Sequence, residues 1–504
     1  MMDVAANQAT SLGSVAGVAR RWVPSPLLCL VAPALSLGLF GRLYIDWSAP
    51  LWVDESFTAA IAGSRSLHRL FEWCIQDPNA PLYYAFIWVW SHIFGGAALS
   101  LRLPSAIFSV AAPLLAAWKG HEDRDIRLFW GVLLALWVPI WGYAPEARCY
   151  SLLFLLATLQ AILFMRVVEG SSRRTVWLWT IASASLCLTH YYAIFPTALQ
   201  VLMLFACDPK KIFRNIAACL PFLAAAAWFA IHVASLARFT NANTSWYQLM
   251  TLGRAVGVFD LLFIMGPKAL IWVFLATTGY QILRFMIGES PWRYSASETM
   301  VAISGFGALL IVVCIAFFKP VFSERYMIPM VPAALLAIAL WARRMFGSSR
   351  IPMLILIGVW SSTALAMIHV RDPGAMATQN GYNLERPADW LRTKGLRRLV
   401  FYWGHPSAVL YDRGLLADVG AESLRRSGWH GPVVGLTRDG LDADPAPVLA
   451  AAASRSGDGF LWADRFAKSG GDPNAVPAVL KDTRIWDCRT FGRDSVPVLA
   501  CIRQ

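Results

Sequence analysis

The sequence predicts an all-α polytopic membrane protein with a small α/β domain at its C-terminal end. Of the 504 residues, 57% are hydrophobic and only 15% are charged, whereas a soluble domain has about 45–50% apolar and about 25% charged residues. Apolar runs of the length that a helix needs to cross a bilayer recur along the chain. This composition excludes a disordered chain, a coiled coil and a small disulfide-stapled domain.

Eleven apolar runs predict membrane-spanning helices. They cover residues 26–43, 103–118, 128–143, 150–165, 176–190, 191–207, 213–236, 269–286, 299–318, 326–342 and 351–370. A further apolar stretch, 81–96, is too short to span and is rich in Trp and Tyr, which favour the membrane interface. This stretch predicts a helix that lies along the membrane surface.

The distribution of positive charge predicts the orientation. If the 81–96 helix lies flat, the gaps on the side of Arg20–Arg21 hold most of the Lys and Arg residues next to the spans. The short gaps on the other side hold fewer, among them Arg148, Arg238, Arg254, Lys319 and Arg325. Cytoplasmic loops carry the excess of Lys and Arg. We therefore expect the N-terminus inside, the C-terminus outside, and a multi-pass protein in a bacterial cytoplasmic (inner) membrane. The charge of +13 is then a topology signal, and no nucleic-acid partner is expected.

These observations divide the chain into three parts. Residues 1–25 form a cytoplasmic segment, and 26–370 form the transmembrane domain, whose first outer loop, 44–102, carries interfacial helices. The first apolar run continues past Ala32-Pro33-Ala34, which favours a retained span over a cleaved signal peptide. Residues 371–504 hold no spanning run, and helix-like stretches there alternate with short apolar ones such as 399–403. This rhythm predicts an extracytoplasmic α/β domain.

The cysteines suggest one disulfide. Cys488 and Cys501 flank a predicted hairpin around Gly492, Arg493 and Asp494 on the oxidising side of the membrane, where such a bond can persist. A disulfide and two free thiols are equally compatible with the spacing. The sequence contains no zinc-ligand motif, no GxGxxG and no P-loop, and we predict no metal-ligating residues.

Charged residues at the predicted outer face are the candidates for chemistry. They are Asp54 and Glu55 in the first loop, Glu146 and Arg148 in a later hairpin, and Arg325 with Tyr326 before a span. Each group also has an ordinary structural interpretation: a helix start for the acidic pair, an ion pair in the hairpin, and a snorkelling Arg beside an interfacial Tyr. The stretch from Asp77 to Tyr84 can likewise be a turn followed by an aromatic belt.

Together these groups suit a reaction on an anionic lipid at the bilayer surface. Arg presents a planar fork to a phosphate, and a carboxylate can act as a base toward an alcohol or amine. The spans have almost no charge at mid-depth, where an ion or proton pathway would need it.

The order of the motifs resembles that of a known family. Asp54-Glu55, the Pro81-Leu-Tyr-Tyr helix, Arg102-Leu-Pro-Ser-Ala, the Glu146-Ala-Arg-Cys-Tyr hairpin and the late Glu324-Arg-Tyr look like polytopic GT-C glycosyltransferases, in particular the protein O-mannosyltransferase and lipid A aminoarabinose transferase group. The resemblance covers roughly residues 25–370. One departure is Asn79-Ala80, where relatives commonly have His-Pro or Lys-Pro.

The resemblance implies a hexosyl- or pentosyltransferase that moves a sugar from a polyprenyl-phosphate donor to a lipid, glycan or protein acceptor. Asp54 would be the general base of an inverting transfer, with Glu55 and Glu146 positioning the substrates. Arg148, Arg325 and Tyr326 would bind the donor phosphate. The residues that would line the cavity are Asn79, Tyr83, Tyr150, His190 and Tyr191.

Two other functions remain open at this stage. A transporter or flippase of a lipid-linked sugar or envelope polysaccharide would place binding residues near mid-membrane, for which His232 and Asp260 are the nearest candidates. A non-catalytic scaffold would instead use its C-terminal domain to bind an envelope partner. No cofactor is required by the sequence, although carboxylates at a phosphate site can recruit a divalent metal ion.

Overall fold

The structure is a bundle of helices with a small sheet domain on one face. A computed structural model describes residues 26–170, 172–210, 215–241, 248–264, 266–289, 291–346, 349–371, 383–403, 412–437, 445–463, 476–492 and 497–504. The predicted cytoplasmic segment 1–25 and the predicted turn residues Arg493 and Asp494 lie outside this set.

One long apolar helix and three short helices open the chain. They are α1 (Pro26–Leu43), α2 (Val53–Ala62), α3 (Leu67–Gln76) and α4 (Leu82–Phe94). Helix α4 is the predicted surface helix, and it ends where Gly95 adopts a positive φ of 82°, a conformation that glycine tolerates best.

Eleven further helices complete the transmembrane domain in the described part of the chain. They are α5 (Ala98–Lys119), α6 (Arg124–Leu136), α7 (Tyr150–Val168), α8 (Arg173–Thr189), α9 (Ile194–Cys207), α10 (Leu220–Asn241), α11 (Leu252–Leu262), α12 (Lys268–Met286), α13 (Ala296–Phe318), α14 (Val331–Arg344) and α15 (Ile351–Val370).

Every predicted span contains a helix, and the protein is a multi-pass membrane protein. By length and composition, six of the described helical segments can cross a membrane: Ala98–Lys119, Tyr150–Val168, Ile216–Ala237, Lys268–Met286, Ala296–Phe318 and Ile351–Val370. Helices α6 and α14 are shorter, and residues 129–136 and 331–342 within them are buried throughout. A helix that is apolar on all sides belongs in the interior, so these two form the centre of the bundle.

Prolines account for two differences from the predicted spans. The run at 326–342 becomes α-helical only at Val331. Pro332 occupies the first turn of this α-helix, where its missing N–H is not needed. The run at 128–143 ends as an α-helix at Leu136 and continues as a short 3-10 turn that contains Pro139. Helix α5 begins at Ala98, ahead of the apolar run, so the first loop ends before Arg102.

At the end of the bundle opposite the sheet domain, one buried carboxylate connects several helix ends. The Glu298 carboxylate accepts hydrogen bonds from His121 Nε2 at 3.1 Å and from Arg344 at 2.7 Å. Its other oxygen accepts from the backbone N–H of Ser295 at 2.9 Å. Helix ends from three parts of the sequence therefore share one acidic residue.

The C-terminal domain is a five-stranded mixed sheet flanked by helices, as predicted. Its elements are α16 (Glu385–Thr393), β1 (Arg398–Trp403), α17 (Arg413–Arg426), β2 (Val433–Leu436), α18 (Ala446–Ala452), β3 (Asp458–Ala463), β4 (Trp486–Phe491) and β5 (Val498–Arg503). The strand order is β2-β1-β3-β5-β4, with β1 parallel to β2 and β3. Strands β4 and β5 are antiparallel, and a disulfide joins Cys488 to Cys501 across them, with an S–S distance of 2.00 Å.

The C-terminal domain packs directly on helix α2. Trp52, just before α2, forms a β-bridge with Asn383, and the ring of Phe57 on α2 meets that of Trp403 edge-on at 5.3 Å. Arg69 at the start of α3 pairs with Asp418 on α17 at 2.8 Å. We call the face of the bundle that carries this domain the domain face.

Candidate functional site

Helix α2 brings the first two candidate residues to the domain face. It starts after Trp52, whose backbone N–H donates to the Glu55 carboxylate at 3.2 Å, so this acidic residue closes the first turn. Consecutive residues of a helix point about 100° apart. The Asp54 side chain is therefore 29% exposed and points into the site, whereas Glu55 is buried.

Glu55 fixes three segments to one another. Its carboxylate accepts two hydrogen bonds from Arg102 on α5, at 2.9 and 2.6 Å, and one from the backbone N–H of Ala147 at 2.9 Å. Arg102 also donates to the carbonyl oxygens of Ala49 and Pro50. The helix that carries Asp54 and the hairpin that carries Arg148 are held together by this pair.

Two arginines from distant parts of the sequence converge on Asp54. Its Oδ2 lies 3.6 Å from an Nη atom of Arg148 and 3.7 Å from one of Arg325. The Arg148 and Arg325 side chains are 8% and 18% exposed. The site therefore presents one carboxylate facing two guanidinium groups at a partly water-accessible position.

Glu146 is a buried acid beside this cluster. Burial, and then the neighbouring carboxylates of Glu55 and Asp54, raise its pKa well above the ordinary value of 4.5, against the opposing effect of the two arginines. Its Oε2 has no hydrogen-bond partner among the described residues. A protonated carboxyl group of this kind can donate a hydrogen bond to a ligand.

An aromatic wall borders the arginines. The ring of His190 lies 5.0 Å from that of Tyr326 and 6.5 Å from that of Tyr150, and the guanidinium of Arg325 lies over both tyrosines. Burial and the two arginines lower the pKa of His190 from 6.5 to about 3. Its Nδ1 accepts from the backbone N–H of Tyr192, so the neutral ring carries its proton on Nε2.

The turn before helix α4 is linked to Arg148 through Tyr84. Asn79 donates to the Asp77 carboxylate at 2.7 Å and to the Tyr84 hydroxyl at 3.3 Å. The Tyr84 hydroxyl also lies 3.4 Å from Arg148. Tyr83 is fully buried and shares a hydrogen bond with Ser105, which in turn bonds the carbonyl oxygen of Arg148.

Tyr191 is the one predicted cavity residue whose functional group points elsewhere. Its hydroxyl contacts Nδ1 of His232 and accepts a hydrogen bond from Trp228 at 3.0 Å, both on helix α10. The remaining candidates gather around Asp54, Arg148 and Arg325. Among the described residues, no group of three or more His, Cys, Asp or Glu side chains is arranged to hold a metal ion.

An apolar cavity of about 220 Å³ adjoins the cluster. Glu324 and Arg325 line it, together with apolar side chains that include Trp137, Leu261 and Met367. The cavity thus has a charged margin and apolar walls, an arrangement that suits a lipid with a charged head.

Sequence reasoning missed Arg102, Asp77 and Tyr84 as contributors to this site. Arg102 stands at the start of an apolar run, and a charge at such a position was a usable signal for a buried acidic partner. Asp77 and Tyr84 belong to a stretch that reads as an ordinary turn and aromatic belt, so no local pattern distinguished them.

By its likeness to solved structures, the chain has a polytopic membrane fold of the GT-C type, with this cluster at its domain face. No protein-family model matches the chain, and no curated protein matches it either. Solved structures match the chain in fold. ArnT from Cupriavidus metallidurans in the apo state has a TM-score of 0.55 at 14% sequence identity, and the match covers 94% of this chain and 97% of that one. The same protein bound to undecaprenyl phosphate has a TM-score of 0.55 at 13% identity, with the same coverage. At these identities the likeness establishes the fold.

Proposed function

We propose that this protein is a glycosyltransferase that moves a sugar from a polyprenyl-phosphate donor to an acceptor outside the cytoplasmic membrane. The observation that carries the proposal is the placement of Asp54 opposite both Arg148 and Arg325, at 3.6 and 3.7 Å. The site thereby combines a base with two cations that can bind a phosphate. The ArnT fold, solved with undecaprenyl phosphate in one neighbour, supports a lipid phosphate as the ligand.

The proposed chemistry needs one base. Asp54 takes the proton from the acceptor's hydroxyl or amine as that atom attacks the anomeric carbon, and the bond from that carbon to the phosphate oxygen breaks with inversion. The transition state is oxocarbenium-like, as in glycoside hydrolysis. The leaving polyprenyl phosphate is a weak base and departs without a general acid.

The two arginines have a second effect on the base. Before the donor binds, their charge is directed at the Asp54 carboxylate. A bound phosphate competes for the same N–H groups, and Arg forks bind phosphate well. Donor binding therefore frees Asp54 to accept a proton, and the arginines then neutralise the charge that grows on the leaving phosphate.

The neighbouring residues have distinct parts in this proposal. Protonated Glu146 donates a hydrogen bond to a sugar or acceptor oxygen, and Glu55 positions Asp54 and Arg148 through its fixed contacts. Tyr326, Tyr150 and neutral His190 provide an aromatic surface for the sugar, while Asn79 and Tyr83 support the Arg148 side of the site. Tyr191 supports helix α10 instead.

The apolar cavity beside Arg325 supports a lipid donor. Its volume of about 220 Å³ is below the ~300–1,000 Å³ of a typical small-molecule pocket. We infer that it receives only the isoprene units next to the phosphate, and that the remainder of the chain lies among the membrane lipids.

The proposed orientation follows from the positive charges. Arg343, Arg344 and Arg350 lie at the end of the bundle opposite the domain face, which favours a cytoplasmic location for that end by the positive-inside rule. The C-terminal domain and Asp54 would then face the outside of a bacterial inner membrane. The three parts of the chain, 1–25, 26–370 and 371–504, would be cytoplasmic, transmembrane and extracytoplasmic respectively.

The test is mass profiling of the glycolipids and glycoproteins of a strain without the protein. We expect one species to lose the mass of a single sugar and to regain it when the wild-type protein is restored. Asp54→Asn should fail to restore it, although the variant still inserts into the membrane and binds donor lipid.

A matched control is Asp46→Asn, because Asp46 is a solvent-exposed carboxylate whose side chain hydrogen-bonds Ser48 in its own turn. This variant should restore the sugar fully. Restoration by Asp54→Asn would remove Asp54 as the base, and an unchanged profile together with transport of an intact lipid-linked sugar would favour the flippase alternative.

A further inference from the structure

A second carboxylate acts on Arg148 through a neighbouring hydroxyl group. The Tyr84 hydroxyl lies 3.0 Å from Asp77 Oδ1 and 3.4 Å from an Nη atom of Arg148. All three residues are buried, with exposures of 8% for Asp77, 2% for Tyr84 and 7% for Arg148. The guanidinium is thus contacted by Asp54 directly and by Asp77 through one hydroxyl group.

The direction of these hydrogen bonds follows from the chemistry of the groups. An ionised carboxylate only accepts, and a guanidinium only donates. The Tyr84 proton must therefore point to Asp77, and its oxygen lone pair must face Arg148. Burial, and then the negative charge of Asp77, raise the pKa of Tyr84 well above 10, so the hydroxyl keeps the proton that this arrangement requires.

We infer that Asp77, acting through Tyr84, is a positioning residue that sets the direction of the Arg148 guanidinium. This inference rests on the proposed function of the site. Held in this way, Arg148 stays 3.6 Å from Asp54, longer than a close charge-assisted hydrogen bond of ~2.7–2.9 Å. We expect this loose contact to give way readily when the donor phosphate competes for the Arg148 N–H groups.

Asp77 also has a local role, which the variants must separate from its effect on Arg148. Its Oδ1 also accepts from the backbone N–H of Asn79 at 2.9 Å, which stabilises the turn before helix α4. Asp77→Asn keeps an oxygen at that position and so preserves the turn while removing the charge. Tyr84→Phe keeps the ring and removes only the hydroxyl. The two variants therefore test the hydrogen-bonded path separately from the turn.

The experiment measures the affinity of the purified full-length protein in lipid nanodiscs for undecaprenyl phosphate. Asp77→Asn and Tyr84→Phe should each weaken binding about tenfold, the effect of one hydrogen bond to a charged group. The double variant should bind as weakly as either single one, because both act through the same path. In an Arg148→Ala background, Asp77→Asn should have no further effect.

The control is Asp418→Asn, which breaks the pair between Asp418 and Arg69 on the same face but outside the cluster. It should bind as the wild type does. Thermal unfolding of each variant shows whether it is folded, and if Asp77→Asn does not fold, Tyr84→Phe with and without Arg148→Ala carries the test.

The possible results separate this inference from the proposed function. If the wild-type protein does not bind undecaprenyl phosphate, the proposed donor site is wrong and the inference falls with it. If the wild type binds and Arg148→Ala or Arg325→Ala weakens binding, the donor site stands. Unchanged binding by Tyr84→Phe, or an equal loss on Asp77→Asn with and without Arg148, then overturns the inference alone.

Discussion

The Glu55 carboxylate and the Arg102 guanidinium meet at two points, 2.9 and 2.6 Å apart, with side chains that are 1% and 5% exposed. The same carboxylate binds the backbone N–H of Ala147. Asp54, next to Glu55, and Arg148, next to Ala147, are therefore held at their separation by one buried ion pair that takes no direct part in the proposed chemistry.

Removing the charge of Glu55 should destabilise the protein. Glu55→Gln leaves Arg102 buried without a charged partner, a change that typically costs ~3–5 kcal/mol. Thermal unfolding followed by tryptophan fluorescence measures the loss. Asp389→Asn, in the solvent-exposed pair with Arg392, should change stability by no more than about 0.5 kcal/mol. Similar effects of the two substitutions would contradict the role of the buried pair.

Arg325 should matter through the shape of its side chain as well as its charge. Arg325→Ala is expected to lower transfer from the lipid donor by ~10²–10³, the usual cost of losing one group that stabilises transition-state charge. Arg325→Lys keeps the charge and loses the fork, so its activity should lie between those of the Ala variant and the wild type. Steady-state rates with a purified donor measure this order, and equal rates for the Ala and Lys variants would argue against a phosphate contact.

His190 should make the protein less stable in mild acid. Its pKa in the folded protein is about 3, below the ordinary 6.5, so between these values the unfolded chain binds a proton that the folded one does not. Stability therefore falls as the pH drops through this window, by up to about 1.4 kcal/mol per pH unit. His190→Asn does not titrate and still offers an acceptor to Tyr192.

The measurement is thermal unfolding of both proteins between about pH 6.5 and pH 5. The wild type should lose about 1.6 kcal/mol more than His190→Asn over this interval. Parallel losses in the two proteins would indicate that the pKa of His190 is the same in the folded and the unfolded protein.

The disulfide between Cys488 and Cys501 tests stability and orientation together. The bond closes a loop with a sequence separation of 13, so replacing both residues with Ser should cost about 3 kcal/mol. In intact cells the two thiols should resist alkylation until a reductant is added, because such bonds persist only in oxidising compartments. Free thiols at both positions in freshly isolated cells would place the C-terminal domain in the cytoplasm.

Much of the fold could be predicted because it depends on local composition. Apolar runs mark the helices, and the alternation of short apolar and helical stretches after residue 383 marks the sheet domain. Successive gaps between the predicted spans alternate between the two sides of the membrane. This alternation also predicted one common face for Asp54, Glu146, Arg148 and Arg325. Pro332 and Pro139 limited the accuracy at two helix ends, where backbone chemistry overrides the apolar pattern.

The pairing of charges within the site could not be predicted in the same way. Glu55 and Asp54 are adjacent acidic residues in the sequence, and only the contact with Arg102 on α5 distinguishes the buried Glu55 from the partly exposed Asp54. Likewise, Asp77 contributes through a hydroxyl that belongs to the next helix. Such relationships depend on contacts between segments that are distant along the chain.

The docking of the C-terminal domain on helix α2 limits how this protein can be recombined with others. Trp52 and Phe57 contact Asn383 and Trp403 at the helix that carries Asp54, and Arg69 on α3 contacts Asp418. A chimera that exchanges residues 371–504 alone would combine mismatched surfaces at the helix that carries Asp54. The segment from Trp52 to Arg69 and the C-terminal domain therefore form one module for engineering, although more than 300 residues of sequence lie between them.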